Sequence, residues 1–419
     1  MGQYVRTSLQ LLTWVLIRFG PAGLGRMLAL RAVSQKHQAS GEILPLLEEF
    51  RRMVNVCITV GMEEDISSLK TLSSKAYHRL NKSTPGYYRF CAVSTATGIL
   101  RNYRKAKREN RVATFPYARK LMLRTYASCG GFKIQDGFLR LAVKPRAFIH
   151  IKLNGYTLRV LSGMTVRSVT VTPGVLSISY SKEVVQVKPE GYIGVDRNLD
   201  NVTISSTDQR ATSFDLSKVT RIKSTYRYVT SRFRRNDSRI RQVVYSKYGL
   251  KQRNRVQPLL HDISKRIVSE AKNRRYGIVM ERLTKIRRLY RKGNWQSTNY
   301  RAKMNSWSYG ELQRQIDYKG RWEGVRLIYV PARNTSKRCS MCGCKTLEGT
   351  QRKLWCPNCG TLLDRDVNAA RNIAAGGMRF IPDGPPVEAM VEEREPMNAT
   401  LIPKVDGGKS SLKEALTPS

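Results

Sequence analysis

Tyr192-Ile193-Gly194-Val195-Asp196-Arg197-Asn198 is an apolar run that ends on an acid. A short run of this kind reads as a buried strand. A carboxylate delivered to the end of buried backbone costs desolvation free energy unless a cation or a donor waits there. The construction recurs at Ile278-Val279-Met280-Glu281. A third acid opens a helical pattern in Asp364-Arg365-Asp366-Val367-Asn368-Ala369-Ala370. Asp196, Glu281 and Asp366 are 85 residues apart in turn, so spacing alone does not bring them together. Two readings of Asp366 stand, helix N-cap or ligand, and Asp364 is a rival for the ligand role. Taken together, convergence on divalent ions is the better account. Hard oxygen donors favour Mg²⁺ or Mn²⁺. Two such ions about 3.5–4 Å apart would activate water and stabilise the leaving oxygen of a phosphodiester.

The charge of the chain supports a polyanionic partner. Its 419 residues carry 75 Lys and Arg against 31 acids, a formal net charge of +44. Self-repulsion of that size opposes compaction unless a polyanion is bound. Nucleic acid is the natural counter-charge, because each phosphate neutralised releases a condensed ion. The 41% hydrophobic content excludes wholesale disorder, and the length allows several domains. No run reaches the roughly 18–20 apolar residues of a membrane span. Residues 1–26 read as an amphipathic extension, consistent with a start placed upstream. The Pro-, Gly- and Glu-rich stretch from Pro382 onward reads as disordered.

Cys339-x-x-Cys342 and Cys356-x-x-Cys359 carry the spacing of a four-thiolate zinc ribbon. Gly343 and Gly360 follow each knuckle, and Lys337, Arg338, Arg352 and Lys353 are placed to favour thiolates. A closed tetrahedral Zn²⁺ site holds structure and leaves no position for chemistry. Such usage of cysteine fits a reducing, cytoplasmic compartment. Cys57, Cys91 and Cys129 read as small apolar packing groups, and Cys344 as an extra thiol.

The rest of the chain alternates in character. Leu28–Val33 reads as a strand. Ile43, Leu46, Leu47, Phe50, Met53, Val54 and Cys57 repeat at helical spacing, and a second helix covers Tyr87–Lys107. Phe138–Val143, Phe148–Lys152, Thr157–Leu161, Val169–Thr172 and Val175–Tyr180 read as short strands of a small barrel. Beyond Tyr192 comes a strand meander, then a basic helical region over 216–272 with an apolar stripe at Leu259, Ile263, Ile267 and Ala271. Residues 284–306 read as basic and mobile, with a helix at Leu312–Ile316 and a strand at Val325–Val330. His261 interrupts an apolar stripe and reads as packing or phosphate contact rather than as a general base. Tyr290, Trp295, Tyr300, Trp307 and Tyr309, interleaved with Arg287, Arg288, Arg291 and Lys292, could stack on bases; packing of Trp307 is an equal alternative.

The motifs Gly194-Val-Asp196-Arg-Asn, Val279-Met-Glu281-Arg-Leu, Thr335-Ser-Lys-x-Cys339-Ser-x-Cys342-Gly, Cys356-Pro-Asn-Cys359-Gly and Asp364-Arg-Asp366-x-Asn-Ala-Ala-Arg-Asn-Ile resemble the TnpB (OrfB) proteins of insertion sequences, ancestral to type V CRISPR effectors. The likeness is specific over about 190–376 and looser over 27–185. It implies a multidomain α+β protein. An RNase H-like RuvC nuclease domain (189–334 and 363–380) would carry an inserted four-cysteine zinc ribbon (335–362). A small wedge β-barrel would form from 27–40 and 126–188, and a helical recognition lobe from 41–125. It also implies Asp196, Glu281 and Asp366 as catalytic metal ligands, with a guide RNA and double-stranded target DNA as partners. The expected activity is RNA-guided cleavage of DNA beside a short motif. A compact CRISPR effector and a nuclease-inactive DNA-binding regulator are the alternatives, the second disfavoured by the intact acids; a strand-transferring transposase is disfavoured by the lack of a separate end-binding domain.

Overall fold

The computed structural model describes residues 26–38, 41–110, 113–144, 147–233, 237–283, 286–290, 293 and 295–379. The expected N-terminal extension (1–26), apart from residue 26, and the expected disordered tail lie outside them. The chain divides into two compact units, with breaks at Ala29/Leu30 and Lys182/Glu183.

Strand β1 (Arg26–Lys36) crosses the first break and leads into the first unit, where helices α1 (Ile43–Glu63), α2 (Leu69–Ala76) and α3 (Gly86–Arg108) follow. All seven apolar positions read as the α1 stripe are buried. Strands β2 (Leu123–Tyr126), β3 (Phe132–Gln135), β4 (Phe138–Lys144) and β5 (Ala147–Lys152) follow, then helix α4 (Gly155–Leu161), β6 (Thr165–Val171) and β7 (Val175–Val185). They make a four-stranded sheet of order β1-β7-β6-β2 and a separate three-stranded sheet β3-β4-β5. The reading of Thr157–Leu161 as a strand is corrected to helix. Asn154 caps it, its side-chain oxygen accepting from Thr157 N at 2.7 Å, and local capping outweighs the β-leaning composition. Cys57 and Cys91 are fully buried, whereas Cys129 is half-buried.

The second unit is built on a five-stranded sheet. Its strands are β8 (Gly191–Arg197), β9 (Asn201–Ser206), β10 (Ala211–Asp215), β11 (Tyr276–Glu281) and β12 (Leu327–Val330), in the order β10-β9-β8-β11-β12. The β8-β9-β10 meander is antiparallel, while β11 runs parallel to both β8 and β12. Helices α5 (Ser217–Ser231) and α6 (Ser246–Asn273) connect the meander to β11, and α7 (Thr298–Ser306) and α8 (Tyr309–Trp322) connect β11 to β12. Strands β13 (Leu347–Glu348), β14 (Lys353–Trp355) and β15 (Leu362–Asp364) form a small antiparallel sheet ahead of α9 (Arg365–Arg379).

Alternation along the strands divides the core into two layers. Ile193, Val195, Ile278 and Met280 face a cluster with Leu260, Ile263 and Ile267 of α6 and Leu312 and Ile316 of α8. Each such buried side chain contributes about 1.5–3 kcal/mol. Tyr192 and Val279 face the other way, onto Ile373 of α9. The α6 stripe therefore runs through Val256, Leu260, Ile263, Ile267 and Ala271, and Leu259 is only half-buried. Residues 298–306 are helical rather than irregular, because Ser297 accepts from Tyr300 N at 3.1 Å and starts α7. Among the described residues, no helix is long and apolar enough to cross a membrane.

Candidate metal centre and its zinc-ribbon buttress

The parallel register of β8 and β11 pairs Val195 with Met280. One step further stand Asp196 and Glu281, on the face that Tyr192 and Val279 present to α9. The helix lies very close to β8: a Cβ built on Gly194 would come 2.1 Å from Ala370 O and 2.5 Å from Ala374 N. Only glycine permits that approach. It brings the N-terminus of α9, and with it Asp366, to the same strand ends. Asp196 and Asp366 are buried, and Glu281 is half-buried.

The three acids interact electrostatically. Burial, then the charges of Glu281 and Asp366, push Asp196 up to about 7, against a hydrogen bond from Asn198 Nδ2 at 2.8 Å. Burial also raises Glu281, against the Thr335 hydroxyl that donates to its Oε1 and the nearby Arg197 charge. Asp366 accepts from Asn201 Nδ2 at 2.9 Å and from the Arg352 guanidinium. The carboxylate oxygens are not gathered as tightly as metal ligands: among the described residues, the four cysteines are the one set whose donor atoms all lie within 4.8 Å of one another. A buried Asp196, raised by the charges of the half-buried Glu281 and of Asp366, makes a set of hard oxygens that suits a hard divalent cation.

Asp364 has a different task. Its Oδ1 accepts from Asp366 N and Val367 N, both at 2.9 Å, so Asp364 is the N-cap and leaves the Asp366 carboxylate for the corner. His261 stands on α6 against Tyr318, with Nδ1 at 3.3 Å from the hydroxyl. Trp307 donates Nε1–H to Asn198 O at 2.8 Å and packs on Tyr309, fixing the turn after Asp196, whereas Tyr290 is buried and Trp295 fully exposed.

The sulfurs of Cys339 and Cys359 are 3.7 Å apart, and those of Cys342 and Cys356 3.4 Å. Tetrahedral zinc with Zn–S of about 2.3 Å requires sulfurs about 3.8 Å apart, so the cage fits that ion. Gly343 N and Gly360 N each close a knuckle turn at 2.9 Å, with φ of +78° and +64°. The backbone N–H of Cys344, then the Cys356 thiol, lowers Cys342 to about 6. Arg352, read as a thiolate partner, instead pairs with Asp366.

Several site residues escaped the sequence reading. Asn368 Oδ1 accepts from Ser340 N at 2.8 Å and its Nδ2 donates to Arg338 O at 2.7 Å. Asn372, one turn on, donates to Thr335 O at 2.8 Å and Arg338 O at 2.7 Å. The signal was present as asparagines four apart on one helix face. Arg197 is 2% exposed; it donates to Gln313 Oε1 at 2.7 Å and to Glu281 O, tying the two strand ends from the α8 side.

Residues 309–373 match the family described as Cas12f1-like, TNB domain. A TnpB-like protein of Methanocaldococcus jannaschii is 31% identical over 257 residues, 58% of this chain and 91% of that one. The CRISPR-associated endodeoxyribonuclease Cas12f1 of Sulfoacidibacillus thermotolerans is 37% identical over 75 residues, 17% of each chain. A cryo-EM structure of a Cas12f1–sgRNA–target DNA complex aligns over 80% of this chain and 83% of its own, at 13% identity and a TM-score of 0.58, and so shares the fold. The chain is thus a mixed α+β protein that shares its fold with the Cas12f1 effector. By its sequence it belongs to the TnpB family.

Proposed function

We propose that this protein is an RNA-guided DNA endonuclease whose RuvC-type site is Asp196, Glu281 and Asp366. The observation that carries the reading is the β8–β11 register, which sets two acids side by side under the N-terminus of α9. The five-stranded sheet would be the RNase H-like nuclease domain (189–334 and 363–380), interrupted by the zinc ribbon (335–362). Residues 41–125 would be the recognition lobe, and 27–40 with 126–188 the wedge barrel.

The three carboxylates would hold Mg²⁺ or Mn²⁺; when bound, such ions activate water and stabilise the leaving oxygen. Asn198 and Asn201 orient Asp196 and Asp366, and Thr335 orients Glu281. Arg352 partly neutralises Asp366 from the ribbon. Cysteines 339, 342, 356 and 359 would hold Zn²⁺ and fix Arg338 and Thr335 against α9. The surplus positive charge holds a heteroduplex by its phosphates while base pairing reads sequence.

Sequencing the RNA that co-purifies with the protein, then assaying cleavage of a matching duplex in Mg²⁺, tests the reading. A discrete RNA and guide-dependent cutting are expected, with cutting lost and RNA-dependent DNA binding kept in Asp196→Ala. Absence of a discrete RNA, or Mg²⁺-dependent cutting by purified Asp196→Ala, would overturn it.

A further inference from the structure

The sheet β3-β4-β5 shows aromatic rings and cations together to solvent. One face is an ordinary core face, with Leu139, Leu141, Ile149 and Ile151 buried. Alternation places polar side chains on the opposite face of such a sheet. Here it presents two phenylalanines among them. Phe138 is 38% exposed and Phe148 36% exposed. The register sets Phe138 opposite Lys152, Arg140 opposite His150 and Ala142 opposite Phe148, with Lys133 of β3 opposite Arg140. Rings and cations therefore interleave across three strands, none of which carries an acid. The Arg140 guanidinium lies 3.5 Å from the Phe148 ring centre, and its shielded Nε has no hydrogen-bond partner. The His150 ring stands edge-on to Phe138 at 6.4 Å.

We infer that this face stacks unpaired bases of the RNA partner, an inference that rests on the RNA-guided reading above. Exposed rings without acids, beside cations, complement a strand whose bases have π-faces and whose backbone is anionic. A duplex hides its base faces within the stack, so paired target DNA does not satisfy the rings. RNA loops and bulges do, and protein readers of RNA stack such bases on aromatic rings and Arg planes. Phe138 and Phe148 take the bases, Arg140 extends the stacking plane, and Lys133 and Lys152 meet phosphates.

The test uses the full-length protein with the RNA it retains on purification. Irradiation at 254 nm, digestion and mass spectrometry should recover RNA-linked peptides from 132–152 before any DNA is added. The double variant Phe138→Ala/Phe148→Ala should lose those links and bind the re-added purified RNA at least tenfold more weakly, with an unchanged salt slope. Lys133→Ala/Lys152→Ala should instead flatten the slope. Phe138→Tyr/Phe148→Tyr should restore binding, and matching melting curves would show that each variant folds. Links to 132–152 that form only with added DNA, protein cross-links in their place, or wild-type RNA affinity in a folded double alanine variant would each overturn the inference. Those results leave guide-dependent cleavage intact, whereas absence of a retained RNA would instead remove the functional reading beneath it.

Discussion

Asp196 and Glu281 occupy one register position on neighbouring parallel strands, directly beyond the Val195–Met280 pair. Parallel strands cannot be joined by a tight turn, which is why so many residues separate two acids that end side by side. Burial and the charges of Glu281 and Asp366 make an ionised Asp196 costly, a cost that a cation would offset. Asp196→Asn keeps the shape and an acceptor for Asn198 but removes one charge. It should abolish cleavage and, in EDTA at pH 8, stabilise the protein by roughly 1–3 kcal/mol, seen as a Tm a few degrees higher. An unchanged or lower Tm would mean that the acids do not repel one another in the folded chain.

A proton would compete with the proposed metal for this corner. Asp196 is raised to about 7 by burial and by the Glu281 and Asp366 charges, above an ordinary aspartate near 4. The metal-free folded state therefore binds this proton more tightly than the unfolded state does. Its contribution to stability is fully present below about pH 4 and is lost as pH rises through about 7. Metal affinity runs the other way, because binding must displace the proton below 7. Mn²⁺ binding followed by EPR should weaken about tenfold between pH 8 and pH 6. In Asp196→Asn, thermal stability in EDTA should lose most of its slope over pH 4–7.

Two glycines with opposite expected behaviour separate close approach from mere helix content. Gly194→Ala would drive a methyl group into the backbone of α9 at Ala370 and Ala374. Main chain cannot yield as a side chain does, so α9 must lift from β8 and carry Asp366 away. A loss of at least about 3 kcal/mol is expected, together with loss of cleavage. Gly376→Ala, inside α9, meets only the Val330 side chain at an ordinary 3.4 Å. It should stabilise by up to about 1 kcal/mol with activity retained. Urea melts of the two variants make the comparison.

Local patterns revealed parts of this architecture and hid others for identifiable reasons. Strands ending on Asp196 and Glu281 were legible because an acid closing an apolar run is locally anomalous. The cysteine cage was legible because its geometry is set within two short loops. Meeting of the acids was not, since it depends on sheet order and on the Gly194–Ala370 approach, both long-range. Asn154 illustrates the converse: a single cap turned a strand-like run into α4. Asp364 and Asp366 both suit a helix start, and the sequence reading favours Asp366 as the ligand; in the structure Asp364 takes the backbone donors that open α9. Arg352 was assigned to the thiolates by proximity along the chain, whereas the turn at Gln351–Arg352, with φ of +53° and +60°, accompanies its pairing with Asp366.

The cysteine cluster and the acid corner are joined through α9, and zinc held there would be a remote support of the proposed nuclease site. Asn368 and Asn372 bond to the chain just before and within the first knuckle, at Thr335, Arg338 and Ser340. Thr335 in turn holds Glu281, and Arg352 holds Asp366. Removing one thiolate by Cys356→Ser should therefore act in two places. Zinc measured by plasma mass spectrometry should fall from one per chain to near zero, and melting should begin several degrees earlier, since structural zinc contributes folding free energy directly. Mn²⁺ affinity at the corner should also drop, although no carboxylate has changed. Asn368→Ala should reproduce the drop in Mn²⁺ affinity while keeping its zinc, because it cuts the tie without opening the cage. Equal Mn²⁺ affinity in wild type and both variants would mean that the ribbon and the acids are mechanically independent.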